Sequence, residues 1–389
     1  MKKIGILIYS NPDYYPPTVN AVHLLSEHFD VVLICRNQDP SYWEYPSNVT
    51  VHRLGQYTSV REREQASSRA KLWEYINFVS QASHFLKDVS LIYAYDAFGY
   101  TAACLCRLLP CQSVPIIYHN HDINDNLFPV YSLSRWVQFA ERNWANKATV
   151  VVFPAQDRSS FFQRVANLKE QPIIVPNFPR KSFVQAPKDW VNTLEKRFAV
   201  PQILLQGAIS TNNSMLELIE SLIHLNNSVK IKLIGTIREN EHYLMVNFAE
   251  KKNVTNRVEY LRYVPYTELL SHTWTASIGV CLYKKININN QTMATASNKI
   301  YEYAACGLPV IVSDFPNYRE YLSSETWVRF ANPDDPDSIA SAVQDILSDL
   351  ENYKAMCIAA RQAFEEKFNY EYVFTPLLSQ ITNLVESFT

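Results

Sequence analysis

Two runs of alternating strand and helix patterns, parted by a proline-punctuated stretch, constrain this chain more than any other feature. In the first run "KIGILIYS", "DVVLICR", "NVTVHRL", "SLIYAYD", "VPIIYHNHD", "ATVVVFP" and "PIIVPN" are short apolar, mostly β-branched segments that read as strands. Helical patterns fall around residues 19–28, 61–86, 99–109, 132–146 and 155–167. Residues 179–200, "PRKSFVQAPKDWVNTLEKRFAV", break the pattern and read as a linker. Alternation then restarts with "PQILLQGAIS", "VKIKLIGT", "RVEYLRYV", "ASIGVCLY", "PVIVS" and a short strand at 327–330, again with helical segments between. The final helical region covers about 350–387. Such alternation predicts parallel sheets with helices on both faces. The expectation is an α/β chain with two doubly wound, Rossmann-like domains, 1–180 and 201–365, facing across a cleft.

A length of 389 residues suits two ordinary domains. With 47% hydrophobic and 19% charged residues the chain is globular. A formal net charge of −2 gives no basic excess, so nucleic acid is not expected as a partner. No window reaches the roughly 20 apolar residues of a membrane span, and the apolar run after the first two lysines is too short for a signal-peptide core. Seven cysteines, an odd number scattered along the chain, suggest a reducing compartment, and a cytoplasmic location is expected. Cys104, Cys106 and Cys111 lie near His119 and His121, but their spacing fits no strong zinc pattern. "SSRAKLWEYINFVSQASHFL" is amphipathic enough for a peripheral membrane contact, with core packing the ordinary alternative.

Open parallel sheets bind ligands beyond the carboxyl ends of their strands. That rule directs attention to Ser10 and Asn11, to His119–Asp122, to Gly207 and Gly235, and to Tyr283. None of the glycine turns forms a dinucleotide or Walker loop. The stretch "SNKIYEYAACGLPVIVSD", residues 297–314, predicts a helix capped by the Ser297 hydroxyl, stopped by Gly307 and Pro309, and followed by a buried strand. Strand 310–313 would pin this short helix to the sheet edge. Lys299 and Glu302 share a helix face, beside N–H groups that attract anions. A cation and a carboxylate there suit a nucleotide phosphate; the ordinary alternative is a surface ion pair.

The same stretch resembles the carboxy-terminal signature of GT-B glycosyltransferases of the GT4 type. "SLIYAYD", "VPIIYHNHD", "PIIVPN", "ILLQGAIS", "IKLIGT" and "RVEYLRYVPYTELL" are similar to further segments of that family, in the same order. The resemblance implies transfer of a sugar from a nucleoside diphosphate, UDP by preference, to an unknown glycan, lipid or small-molecule acceptor. Retention, no cofactor and no bound metal are implied with it. Glu302 falls on the ribose-binding Glu of the family, and His121 on the His set against the donor sugar and phosphate. Gly207, Ser297, Asn298, Asn213, Asp122 and Asn11 are the further substrate-binding candidates. Residues 366–389 are expected to return as a helix to the first domain.

Three departures accompany the resemblance. Ala294 stands where the first Glu of the paired-Glu motif belongs. Ala208 and Asn213 occupy the places of a basic residue that follows the glycine turn, which leaves Lys299 as the candidate cation, with Lys284 and Lys285 behind it. "NPDYYPPTVNAV" replaces an amino-terminal glycine-rich loop. Two alternatives therefore stay beside the transferase: an epimerase of the same fold, and a non-catalytic nucleotide-sugar-binding or assembly subunit. Asp96 and Asp122 are the nearest bases if the acceptor needs one.

Overall fold

All the described strands pair in parallel, in two separate sheets. The computed structural model describes residues 1–38, 43–108 and 114–387, so Cys111 lies outside the described residues. The chain divides into two compact units, Met1–Asn177 with the residues from Val373 onward, and Phe178–Tyr372.

Unit 1 holds β1 (Lys3–Ile8), α1 (Pro16–Ser26), β2 (Asp30–Arg36), β3 (Val49–Leu54), α2 (Val60–Gln65), α3 (Ser68–Phe85), β4 (Ile92–Tyr95), α4 (Asp96–Cys106), β5 (Ile116–His119), α5 (Leu133–Trp144), β6 (Val150–Phe153), α6 (Gln156–Ala166) and β7 (Ile173–Ile174). Its sheet order is β3-β2-β1-β4-β5-β6-β7. The central strands β4 and β5 are buried at every position, as a sheet covered on both faces requires. The edge strand β3 stays half-exposed and carries Thr50, His52 and Arg53.

Unit 2 holds α7 (Leu194–Ala199), β8 (Gln202–Ile209), α8 (Met215–Ser221), β9 (Lys230–Ile237), α9 (Glu239–Lys251), β10 (Val258–Leu261), α10 (Tyr266–Thr273), β11 (Ile278–Cys281), α11 (Ile288–Gln291), α12 (Asn298–Ala305), β12 (Val310–Ser313), α13 (Pro316–Leu322), β13 (Val328–Ala331), α14 (Pro336–Ile346) and α15 (Leu350–Glu366). Its order is β10-β9-β8-β11-β12-β13. The proline-punctuated stretch folds onto this unit: Arg197 donates to the carbonyls of Cys306 and Gly307. Helix α16 (Tyr370–Ser387) runs from unit 2 into unit 1, where Phe374, Leu377, Ile381 and Val385 are buried and the Val385 carbonyl accepts from Lys2.

Each sheet therefore reverses strand order beside its first strand, between β1 and β4 and between β8 and β11. Such switch points open crevices at the carboxyl ends of the strands. Helix α12 is held over one of them. Its Tyr303 ring lies so close to β11 that a Cβ on Gly279 would stand 2.3 Å from it. The Tyr303 hydroxyl accepts from the Gln206 N–H at 3.0 Å and lies 3.1 Å from the Leu204 carbonyl. Strand β12 sits between β11 and β13, so the helix is fixed to the sheet interior, not to its edge. Gly307 ends the helix at φ +63°, where a Cβ would meet the Trp190 ring at 2.6 Å.

Candidate active site

In unit 2 the switch point is lined by a glycine turn, a half-buried cation and a buried carboxylate. Gly207 and Gly235 face each other in register on β8 and β9, with φ of +91° and +144°. A Cβ on Gly235 would stand 1.9 Å from the Gly207 carbonyl oxygen, so only glycine lets the two strands approach here. Lys299 lies along this turn: its Cδ and Nζ would stand 3.6 and 3.9 Å from a Cβ on Gly207. The ammonium sits 5.0 Å from the centroid of the Tyr283 ring, a cation–π contact. Among the described residues Lys299 has no ion-pair partner. Burial lowers its pKa, an effect opposed by Cys281 and Glu302.

Glu302 is 4% exposed and accepts from Gln206 Nε2 at 2.6 Å. Tyr266 also hydrogen-bonds it, and Thr273 Oγ1 donates to Gln206 Oε1 at 3.2 Å. Burial pushes the carboxyl up to about 7, against the hydrogen bonds from Gln206 and Tyr266 and the charge of Lys299. Lys299 and Glu302 thus share a helix face but form no ion pair; the carboxylate is tied to β8 and α10 instead. The sequence reading missed Gln206, although a lone amide in the apolar run "ILLQG" was its visible signal.

Ser297 occupies the N-cap position, yet its hydroxyl makes no capping bond. It turns inward, 3.2 Å from Cys281 Sγ and 3.5 Å from the Tyr283 hydroxyl. No side-chain cap engages the helix start, and the side-chain oxygen of Asn298 is buried without a hydrogen-bond partner among the described residues. Asn213 donates to the Ala208 carbonyl at 2.6 Å and so closes the loop after Gly207. Lys284 is engaged by Glu217 at 2.6 Å and Asp334 at 3.3 Å, which removes it as a spare cation. Ala294 is fully buried, its N–H donating to Asn317 and its carbonyl accepting from Tyr301.

The unit 1 site is built on aromatic rings. His121, 5% exposed, stacks against Tyr95 (4.8 Å between centroids), His119 (5.3 Å) and Tyr15 (5.4 Å). Asp96 accepts from the His121 N–H at 2.8 Å and faces Nδ1 at 3.2 Å, while Thr18 Oγ1 stands 3.3 Å from Nε2. Asp96 does this from the left-handed region at φ +54°, a strained position for a residue with a Cβ. Asp122 is exposed and pairs with the buried Arg158 at 3.0 Å. Asn11 is fully buried; its side chain caps the turn Pro12–Tyr14 and accepts from Arg53. A cavity of about 200 Å³ is lined by His121, Asp96, Asn120 and Glu141 among others. Asn120 Oδ1 has no hydrogen-bond partner among the described residues, and burial raises the Glu141 carboxyl to about 7.

Among the described residues, no group of three or more His, Cys, Asp or Glu is placed to hold a metal ion. The six described cysteines are buried and form no disulfide with one another, Cys104 and Cys106 lying within α4. No described helix is long and apolar enough to cross a membrane.

Residues 194–363 match the family model described as glycosyl transferases group 1. That match lies within unit 2. The whole chain has the GT-B fold. It superposes on sucrose-phosphate synthase from Thermosynechococcus elongatus with a TM-score of 0.73 at 16% identity, covering 100% of both chains. Anabaena HepE in complex with UDP matches at 0.71 and 13% identity, over 98% of this chain and 100% of that one. WaaG, a glycosyltransferase involved in lipopolysaccharide biosynthesis, matches at 0.68 and 11% identity, over 96% and 98%. No curated protein sequence matches the chain.

Proposed function

We propose that the chain is a retaining, GT4-type glycosyltransferase that takes a hexose from a UDP-sugar. The observation that carries this reading is that Lys299, with no ion pair among the described residues, and a buried Glu302 share one helix face at a glycine-turn crevice of the segment that matches the glycosyl transferases group 1 model. Glu302 would hold both ribose hydroxyls, because one carboxylate accepts two vicinal donors. The diphosphate would lie on the Gly207 turn and the free N–H groups of α12, with Lys299 supplying the charge that Asn213 lacks. Solved relatives with UDP or UDP-glucose bound support the choice of base.

In the step itself the acceptor hydroxyl oxygen bonds to the anomeric carbon as that carbon's bond to the diphosphate oxygen breaks. The acceptor proton passes to the leaving phosphate oxygen on the same face. Lys299 and the helix start stabilise the charge developing there, so the step is written without a metal. His121, held by Asp96, would sit against the sugar, and Asp122 would contact substrate. Buried cysteines that form no disulfide among the described residues fit a cytoplasmic setting.

Ala294, in place of a sugar-contacting Glu, favours a second reading, a subunit that binds the nucleotide sugar without turnover. UDP release from UDP-glucose in excess EDTA separates the two. Hydrolytic or acceptor-stimulated release supports the transferase. Release that requires added Mg²⁺ or Mn²⁺ refutes the metal-free step, and calorimetric binding with no release under any acceptor favours the second reading.

A further inference from the structure

Unit 1 carries three cavities that adjoin one another, and their chemistry changes along the series. The largest, about 910 Å³, is an apolar groove lined by Leu72, Ile76 and Val79 of α3, by Leu105 of α4, and by Val130 and Trp136. Leu72, Ile76, Val130 and Trp136 are between 42% and 73% exposed, a large apolar surface to leave in water. Ser68, Ser132 and Leu133 belong both to this groove and to a second cavity of about 310 Å³. Phe98 and Ser134 belong both to that second cavity and to the His121 cavity.

The middle cavity is cationic. Arg63 lines it, with its guanidinium 5.2 Å from the centroid of the Tyr9 ring, and among the described residues no ion pair engages it. The one carboxylate of the lining, Glu74, forms an ion pair with Arg36. Gln38, 4% exposed, presents an amide oxygen with no hydrogen-bond partner among the described residues. Unsatisfied buried polar groups call for an explanation, and a ligand hydroxyl would satisfy this one.

We infer that unit 1 binds a single anionic amphiphile. An aliphatic chain fills the groove, a phosphoryl-class head lies beside Arg63, and a hydroxyl-bearing end reaches the His121 cavity. Charge complementarity selects the occupant: an apolar tract that opens onto a guanidinium with no ion pair among the described residues fits a lipid phosphate better than a neutral glycan or a peptide. That this amphiphile is the sugar acceptor rests on the function proposed above; that it binds does not.

The test is calorimetry on the full chain with decyl phosphate below its micelle concentration, against decyl glucoside and inorganic phosphate. Decyl phosphate should bind about tenfold or more tightly than decyl glucoside, the worth of one charge-assisted contact, and inorganic phosphate should bind weakest, having no chain to bury. Arg63→Gln should reduce decyl phosphate to the affinity of the neutral amphiphile. Ile76→Glu, at an exposed position in the groove, should weaken both amphiphiles. Equal affinities for the charged and neutral heads overturn the inference. So does Arg63→Gln binding like wild type, or binding to anionic vesicles without binding to the monomeric amphiphile. UDP binding by the same preparations reports on unit 2 alone. Decyl phosphate binding without UDP binding would therefore sink the proposed function, and the reverse would sink only this inference.

Discussion

The two switch points of this chain use one topology to opposite ends. In unit 1, beside β4, His121 has both ring nitrogens engaged and three rings packed on it. In unit 2 the crevice beside β8 keeps a cation without a counter-ion and a helix start without a cap. Both sheets supply the same geometry, so the two crevices differ in which charged groups the fold pairs.

The largest break in that contrast should come from Glu302. Glu302→Ala removes a carboxylate that would accept two ribose hydroxyls, at about 1.5 kcal/mol or more each. UDP and uridine should therefore both weaken by roughly a hundredfold in calorimetry. Equal binding by wild type and variant would make Glu302 a structural partner of Gln206 only. Lys299→Ala should cost about 1.5–3 kcal/mol on UDP and nothing on uridine, since only the diphosphate meets the ammonium. Loss of both ligands alike would mean that the helix start had been disturbed.

On the satisfied side, the probe is Asp96, because His121→Ala would also strip a buried ring from a stack. Asp96→Asn keeps a hydrogen-bond acceptor beside the His121 N–H and removes the charge that fixes Nδ1. Turnover should fall about tenfold, near 1.4 kcal/mol in the barrier, with a melting temperature within a few degrees of wild type. Unchanged turnover would return His121 to a packing role.

The raised carboxyls also predict a pH slope shared by the two units. Glu302 and Glu141 are both raised by burial to about 7. From about 4.5, the ordinary glutamate value, to about 7, the folded chain holds protons that the unfolded chain has lost, so stability falls as pH rises. Their contribution is fully present below about 4.5 and is lost as pH passes 7. Melting temperatures across this range should show the decline, and Glu302→Gln or Glu141→Gln should each flatten part of it. A flat wild-type profile would contradict the burial argument in both units.

The elements themselves were legible one by one. The helix at 298–305, its stop at Gly307 and the strand after it follow from capping and φ preferences within a few residues. The apolar face of α3 was also visible, as "amphipathic"; that it lines a groove beside a cationic cavity was not. Ser297 shows the limit of local rules. Its type and position predict a cap, but Cys281 and the Tyr283 hydroxyl lie beside its side chain instead.

What the sequence by itself determined is the set of local choices: two runs of strands and helices, their breaks, and which residue types end each strand. The tertiary structure decided strand order, which glycines must touch, and the partners of the charged groups. Gln206 meets Glu302 across 96 residues of sequence, and Asp96 meets His121 across 25 while held in a strained backbone conformation. Periodicity and capping act over one helical turn or one strand. Contacts of this length exist only after two layers of helices have closed on a sheet, so no local pattern encodes them.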